Sequence, residues 1–521
     1  METKRIKIED FCVSLNHLPL NILYKILGYL PLCDQRNLTS VNQFFHSIVS
    51  QLLKDRTYLY ISKQKEANLN DIQIIRRQFS EIFFHGNLEK NTIEEVLKKF
   101  GQNAKKIQFG KNDLRFIKIS PLDMISWLRN IQETIHLNTL NIKMDGTATT
   151  NETVTLLQLK KLRCCDTFLS VLDTPKLEDI QIFSTDRLKK QNLENINNFL
   201  VRHHSIKKFS FRIFCGVDIE IQDIDFQLNH LNLTHLKLSE FRYNPKSVVD
   251  ILQNQKNLFK LHLEDGYLTQ EDIIWSRQYE PIFHEILNLK KINKLVVEIP
   301  SLKLVRNLRK MTNLKRLHMN AITLDVLNEF LRTDYPHLSK LCLEGIDFGT
   351  RGLKKEDIWL LSQNFKNLTH LKFDSVPLSV IDCMVKNMEN LKVIKIIRNA
   401  KLLSKMKSLK DDNLQIIETR LEKIICEQED FRTRILPIIK ISPNLREVKI
   451  YWNNKQTPIM TIIFDILEKC LQIDQIEFKY NGLYAKDNAI LFSSHFNFSL
   501  NNRHYQVMIC RKTGKILCSK F

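Results

Sequence analysis

His284 and Glu285 begin a His-Glu-Ile-Leu-Asn run that comes within one residue of the box in which two histidines a helical turn apart hold zinc beside a general base. Asn288 stands where the second histidine is required, so the run reads as a turn of helix. Nucleotide and acyl chemistry lack their loops as well: the sequence holds no G-x-x-x-x-G-K-S/T, G-x-G-x-x-G or G-x-S-x-G. Twelve glycines in 521 residues leave few places where backbone amides could cradle a phosphate. Eleven cysteines include no C-x-x-C pair, and the neighbours Cys164-Cys165 and His203-His204 read as packing and surface residues. Cys518 opens a final Cys-Ser-Lys-Phe whose polar middle positions disagree with the aliphatic pair of a prenylation box. The expectation is therefore no catalytic residue, no metal ligand and no cofactor, with function carried by binding.

The residues best placed to bind recur in one phrase. Asn-Leu-Thr-His-Leu-Lys-Leu at 232–238 returns as Asn-Leu-Phe-Lys-Leu-His-Leu at 257–263, Asn-Leu-Lys-Arg-Leu-His-Met at 313–319 and Asn-Leu-Thr-His-Leu-Lys-Phe at 367–373, with further copies at 337–343, 390–396 and 444–450. Successive strand residues point to opposite faces, so the residue between the last two apolar positions lies on the face away from the core. That column is Lys237, His262, His318, Cys342, Lys372, Lys395 and Lys449. His235, Lys260, Arg316, Lys340 and His370 flank it, with Glu264, Glu344 and Asp374 further along. Such a stripe suits an acidic or phosphorylated protein segment. An ordinary solvated face is the other reading.

The pattern L-x-x-L-x-L resembles the strand of leucine-rich repeats, and Leu238 to Leu263 and Met319 to Leu343 are 25 and 24 residues apart, room for a strand and a helix. Weaker copies reach back through Ile82/Phe84, Ile107/Phe109, Leu140/Ile142, Ile180/Ile182 and Phe209/Phe211, and Leu295/Val297 and Ile476/Phe478 fill other places. Helical spacing covers 91–100, 247–252, 324–331 and 377–387. The resemblance implies an α/β solenoid, a horseshoe, whose units are stable only when stacked. The turn position that usually carries Asn or Cys is apolar at Phe241, Ile322, Ile346 and Val376, which predicts irregular curvature.

Ahead of the repeats, residues 15–45 contain L-P-x-x-I-L-x-x-I-L-x-Y-L-P-x-x-D, then L-x-x-V and a Phe. Pro19 suits the first position of a helix, Ile22, Ile26 and Leu30 recur at spacing four with Leu23 and Leu27 beside them, and Gly28 and Pro31 end the run. Asp34 caps a short second helix through Leu38 and Val41, and 42–49 reads as a third. A unit so small cannot bury so wide a stripe alone. The segment resembles the F-box, and the resemblance implies a face for a Skp adaptor at Leu18, Pro19, Ile22, Leu23, Ile26, Leu27, Leu30, Asp34, Leu38 and Val41. Asn21 and Gln35 depart from the family's usual acidic and apolar residues. The implied role is substrate recognition in a Skp–cullin–F-box ubiquitin ligase, with a cullin reached through the adaptor. The alternative is a non-catalytic scaffold whose helices only cap the solenoid.

The resulting division is a tail at 1–14, an F-box at 15–60, a solenoid at 61–484 and a C-terminal cap at 485–521. Lys plus Arg exceed Asp plus Glu by 78 to 58, a net charge of +20, enough to draw acidic partners. The basic residues are scattered among acidic ones and no nucleic-acid-binding motif occurs, so a protein partner is expected over nucleic acid. No apolar run approaches eighteen residues, and the first ten residues lack a signal-peptide core. An intracellular protein, cytoplasmic or nuclear, is the expectation.

Overall fold

The computed structural model describes residues 18–29, 37–38, 41–52, 58–62, 79–85, 88–110, 117–118, 121–142, 144–145, 152–184, 190–213, 224–239, 244–264, 279–298, 300–344, 355–374, 383–385, 387–397, 421–427, 442–452, 462–463, 466–467, 470, 472–480, 496–500, 503–510 and 515–520. They fall into two compact units, Met1–Leu233 and Thr234–Phe521.

The first unit opens with helices α1 (Leu20–Tyr29) and α2 (Gln43–Leu52). Pro19 has no amide hydrogen to lose, and its carbonyl accepts from the Leu23 amide at 3.1 Å, so it caps α1 one residue before the helix proper. Asn42 Oδ1 accepts from the Phe45 amide at 2.9 Å and starts α2 in the same way. Leu23, Leu27, Phe45, Ile48 and Val49 close a small core, with Leu18, Tyr24, Leu38 and Phe44 at its margin.

Seven parallel strands follow, namely β1 (Tyr58–Ser62), β2 (Glu81–His85), β3 (Lys106–Phe109), β4 (Thr139–Ile142), β5 (Lys161–Cys165), β6 (Asp179–Ser184) and β7 (Lys208–Ile213), each paired with the next. Ile82, Ile107, Leu140, Leu162, Ile180 and Phe209 stand in one register row, and all are buried. Helices α3 (Lys90–Phe100), α4 (Pro121–Asn130) and α5 (Lys190–Arg202) supply the opposing apolar layer. Phe84 stacks on Phe109 at 5.1 Å and Phe109 on Trp127 at 5.9 Å, which ties α4 to the sheet.

The second unit continues the pattern through β8 (His235–Ser239), α6 (Pro245–Asn254), β9 (Lys260–Glu264), α7 (Glu280–Asn288), β10 (Lys294–Glu298), α8 (Leu302–Leu308), β11 (Arg316–Asn320), α9 (Leu324–Arg332), β12 (Lys340–Leu343), α10 (Lys355–Asn364) and β13 (His370–Asp374). Strands β14 (Val393–Ile397), β15 (Lys423–Glu427), β16 (Glu447–Trp452) and β17 (Gln475–Tyr480) complete the parallel run. Leu236, Leu261, Leu295, Leu317, Leu341, Leu371, Ile394, Ile424, Val448 and Ile476 form one buried row across ten strands. A terminal antiparallel set, β18 (Phe496–Leu500), β19 (Arg503–Cys510) and β20 (Lys515–Lys520), pairs β20 onto β17 and covers what would otherwise be an open sheet edge. Cys518 faces Ile476 in that pairing and is buried, which pushes its thiol up to about 12.

The strands read from the sequence are present, as are the helices read at 91–100, 247–252 and 324–331, with boundaries shifted by a residue or two. Strands β1, β5, β15 and the terminal β18, β19 and β20 are additional. Leu30, Asp34, Phe241, Ile346, Val376 and the residues from 377 to 382 lie outside the described residues. At the one described turn position, Ile322 is fully buried, and the turn amide finds a different partner: Asn320 Oδ1 accepts from the Ala321 amide at 2.9 Å, while Ala321 takes a positive φ of 51°. The Asn of the repeated Asn-Leu phrase also has a structural task. Asn313, Asn367 and Asn390 each donate from Nδ2 to a carbonyl of the preceding repeat, at Lys290, Pro336 and Lys366, over 2.7–2.9 Å.

Candidate interaction surfaces

Helix α1 divides its apolar residues between two faces. Leu23 and Leu27, 0% and 3% exposed, point into the bundle, whereas Ile22 and Ile26 are 42% and 41% exposed and Val41 is 63% exposed. Of the candidate adaptor contacts, Ile22, Ile26, Val41 and Pro19 are open to a visitor; Leu18 and Leu38 are half-buried. Leu23 and Leu27 are corrected to core residues. A stripe wider than one packing partner must bury its centre inward, and those two sit at that centre.

All seven column residues lie on the sheet face opposite the buried leucines, and every one is half-buried. Their register is Lys237, His262, Val296, His318, Cys342, Lys372, Lys395, Ile425, Lys449 and then Glu477. Val296 and Ile425 therefore interrupt the positive stripe. Carboxylates neutralise much of the rest: His262 Nε2 lies 2.8 Å from Glu264 Oε2, Lys372 donates to Glu344, and Lys449 donates to Glu477 at 2.8 Å. Cys342 Sγ donates to the same Glu344 Oε1 at 3.1 Å. Burial holds the His262 ring below its ordinary pKa despite Glu264.

Two residues nearer the strand starts, the balance differs. His235, Lys260, Lys294, Arg316, Lys340 and His370 form a second register row. Lys294 belongs to it because β10 stacks between β9 and β11, although its Lys-Leu-Val-Val-Glu segment breaks the repeated phrase. Burial, with Lys260 and Arg316 alongside, lowers the Lys294 pKa; burial, with Lys340 and Arg316 alongside, lowers that of His370. Thr369 Oγ1 donates to the Ser339 carbonyl at 3.0 Å and lies 2.9 Å from His370 Nδ1, so it accepts the ring proton there; Nε2 then accepts from Lys340 Nζ at 3.2 Å. The two rows border a pocket of about 360 Å³.

The remaining sequence candidates are structural. His284 is exposed on α7. His203 is buried, with Nδ1 donating to the Phe199 carbonyl and Nε2 accepting from the Thr174 amide. Cys164 and Cys165 are buried thiols, the second donating to Asp166 at 3.0 Å. No helix of the described residues is long and apolar enough to cross a membrane.

Residues 15–57 match the F-box domain model, which ends one residue before β1 begins. The chain thus carries an F-box domain at its N-terminal end, and most of the described residues after it form parallel strand-and-helix units of the leucine-rich-repeat kind. Among solved structures, a TLR13–ssRNA13 complex is similar at 13% identity and a TM-score of 0.40, over 82% of this chain and 59% of that one. The chain thus spans less than two thirds of the TLR13 chain. A complex of Rad7 and Elc1 in yeast is similar at 13% identity and a TM-score of 0.33, over 84% of this chain and 89% of that one. No curated protein matches in sequence.

Proposed function

We propose that this chain is the substrate-recognition subunit of a Skp–cullin–F-box ubiquitin ligase. Its F-box binds the Skp adaptor, the adaptor links it to a cullin, and the open sheet face holds a protein target. The observation that carries the reading is the exposure of Ile22, Ile26 and Val41 beside a core already closed by Leu23 and Leu27. Apolar side chains set side by side in water gain free energy when a partner covers them. The chain itself performs no bond chemistry in this account. It raises the effective concentration of the target near the ubiquitin carrier, turning a bimolecular encounter into an intramolecular one.

Target binding is assigned to the column Lys237, His262, His318, Cys342, Lys372, Lys395 and Lys449, with the basic row beside it receiving acidic groups. An intracellular site of action belongs to the same reading, and the buried thiols Cys164 and Cys165 suit a reducing compartment. Affinity capture of the full chain from cells with the proteasome blocked tests it: adaptor, cullin and target should co-purify. With Ile22→Glu and Ile26→Glu the adaptor and cullin should be lost and the target retained. Capture of targets with no adaptor by the unaltered chain would favour a scaffold whose helices only cap the repeats.

A further inference from the structure

The internal ion pairs of the column leave the neighbouring row as the concentrated positive charge of the second unit. Lys260, Lys294, Arg316 and Lys340 sit on four consecutive strands in direct register. Neighbouring strands lie about 4.8 Å apart, so Lys294 and Arg316 each have like charges on both sides at close range, and Lys260 and Lys340 each have one on one side. Among the described residues none of these four is paired with a carboxylate, in contrast to His262, Lys372 and Lys449 one row away. The Lys294 ammonium is accordingly held below its ordinary range, as expected where burial and like charge both act.

This row opens onto the pocket of about 360 Å³, whose lining includes Lys294, Arg316, Lys340, His370, Lys372 and Lys395. The strand backbone at Leu295, Leu317, Leu341 and Leu371, whose side chains are buried on the opposite face of the sheet, forms its floor. Lys294, Lys340 and Lys372 are half-buried there, and charges so placed are less screened than charges on an open surface, so an anion gains more than it would in water. Arg316 contributes the planar fork that meets two oxygens of a phosphate at once, and the lysines flank it as point charges.

We infer that this pocket is a binding site for a phosphate monoester, with Lys294, Arg316 and Lys340 as the anion contacts and Lys395 closing the far side. A continuous nucleic-acid backbone fits less well. Glu264 and Glu344, two residues past His262 and Cys342 on their strands, and Glu477 at the end of the column would oppose a polyanion running across the strands, whereas one dianion held by the basic row meets its cations. No Phe, Tyr or Trp of the described residues lines the pocket to stack a base. A divalent cation is disfavoured on charge. The donor atoms of His318, Cys342 and Glu344 do lie within 4.8 Å of one another, but Lys372 already occupies Glu344 and the surrounding field is positive.

The inference rests on the target-binding half of the proposed function, whose face it specifies; the site shares no residue with the F-box and its test reads anion binding alone, so phosphate binding and adaptor binding fail separately. Full-length protein would be titrated calorimetrically with inorganic phosphate, with a short phosphoserine peptide and with its unphosphorylated form. Saturable binding of inorganic phosphate and of the phosphopeptide, and none of the unphosphorylated peptide, is expected. A phosphopeptide at least tenfold tighter than inorganic phosphate identifies a protein-borne group, and equal affinities identify a free anion. Arg316→Gln with Lys340→Gln should weaken binding roughly 100-fold through loss of two charge-assisted contacts. Lys207→Gln with Arg306→Gln, an equal charge loss elsewhere, should leave it unchanged. Acetylation of the unaltered protein with and without phosphate gives a readout free of folding effects, and Lys294 and Lys340 should be protected. Absence of phosphate binding, equal affinity in the Arg316/Lys340 variant, unprotected lysines, or displacement of the phosphopeptide by a single-stranded oligonucleotide at lower concentration than by phosphate would overturn the assignment.

Discussion

Ile22 and Leu23 are consecutive in sequence and opposite in environment: the Leu23 side chain is sealed in the helical core, and the Ile22 side chain stands well exposed on the face beside it. The two residues therefore separate folding from recognition. Leu23→Ala should destabilise the bundle by about 2–5 kcal/mol, the usual range for a buried leucine, and Ile22→Ala by less than about 1 kcal/mol. Hydrogen exchange of the amides in residues 20–52 reads this locally, since a repeat protein of this length does not unfold as one unit. Equal loss of protection in the two variants would contradict the division of faces.

A pH dependence follows from His203. Its Nδ1 donates to the Phe199 carbonyl at 2.6 Å and its Nε2 accepts from the Thr174 amide at 3.0 Å, so a second ring proton would confront an N–H group. Burial, outweighing the Phe199 bond and the nearby Asp173, holds the ring below its ordinary pKa of 6.5. The unfolded chain then binds more protons than the folded one as the solution is acidified, and stability present above about pH 6.5 is lost below it. Protection of α5 should fall between about pH 7.5 and 5.5. In His203→Gln the fall should be smaller. The same slope in both proteins would show that another group controls it.

Lys449 and Glu477 pair at 2.8 Å with side chains only 19% and 14% exposed. Removing one partner strands the other in a poorly solvated place, so Glu477→Ala should lower local stability of β16 and β17 by about 1–3 kcal/mol. Lys449→Met combined with Glu477→Leu should restore most of it. Exchange protection of the β17 amides checks both, and a double variant no better than the single one would count against an ion pair as the cause.

Much of this architecture was legible because one apolar spacing repeats. Leu236/Leu238, Leu261/Leu263 and Leu371/Phe373 announce their strands and lie buried where the pattern puts them. Strands β5 and β15 escaped because Lys-Leu-Arg-Cys-Cys and Lys-Ile-Ile-Cys-Glu place cysteine where the phrase has leucine, though Cys164 and Cys426 fill that buried position equally well. The binding face was less legible. A single strand shows which residues face outward, but which cations become neighbours depends on register between strands, with 30 residues between Lys340 and His370. For that reason the carboxylates that offset Lys372 and Lys449, the interruptions at Val296 and Ile425, and the place of Lys294 in the basic row emerge only from the stacked sheet. The apolar stripe of α1 was legible as a whole, but not its split into a core half and an open half.

The affinity of the purified full-length chain for a purified Skp adaptor, measured by calorimetry for the unaltered protein and for Ile22→Ala with Ile26→Ala, tests the central claim most directly. Saturable one-to-one binding that weakens by roughly 30-fold or more in the variant, with its circular dichroism unchanged, is the predicted result. No binding by the unaltered chain, or equal affinity in the two proteins, would contradict the account.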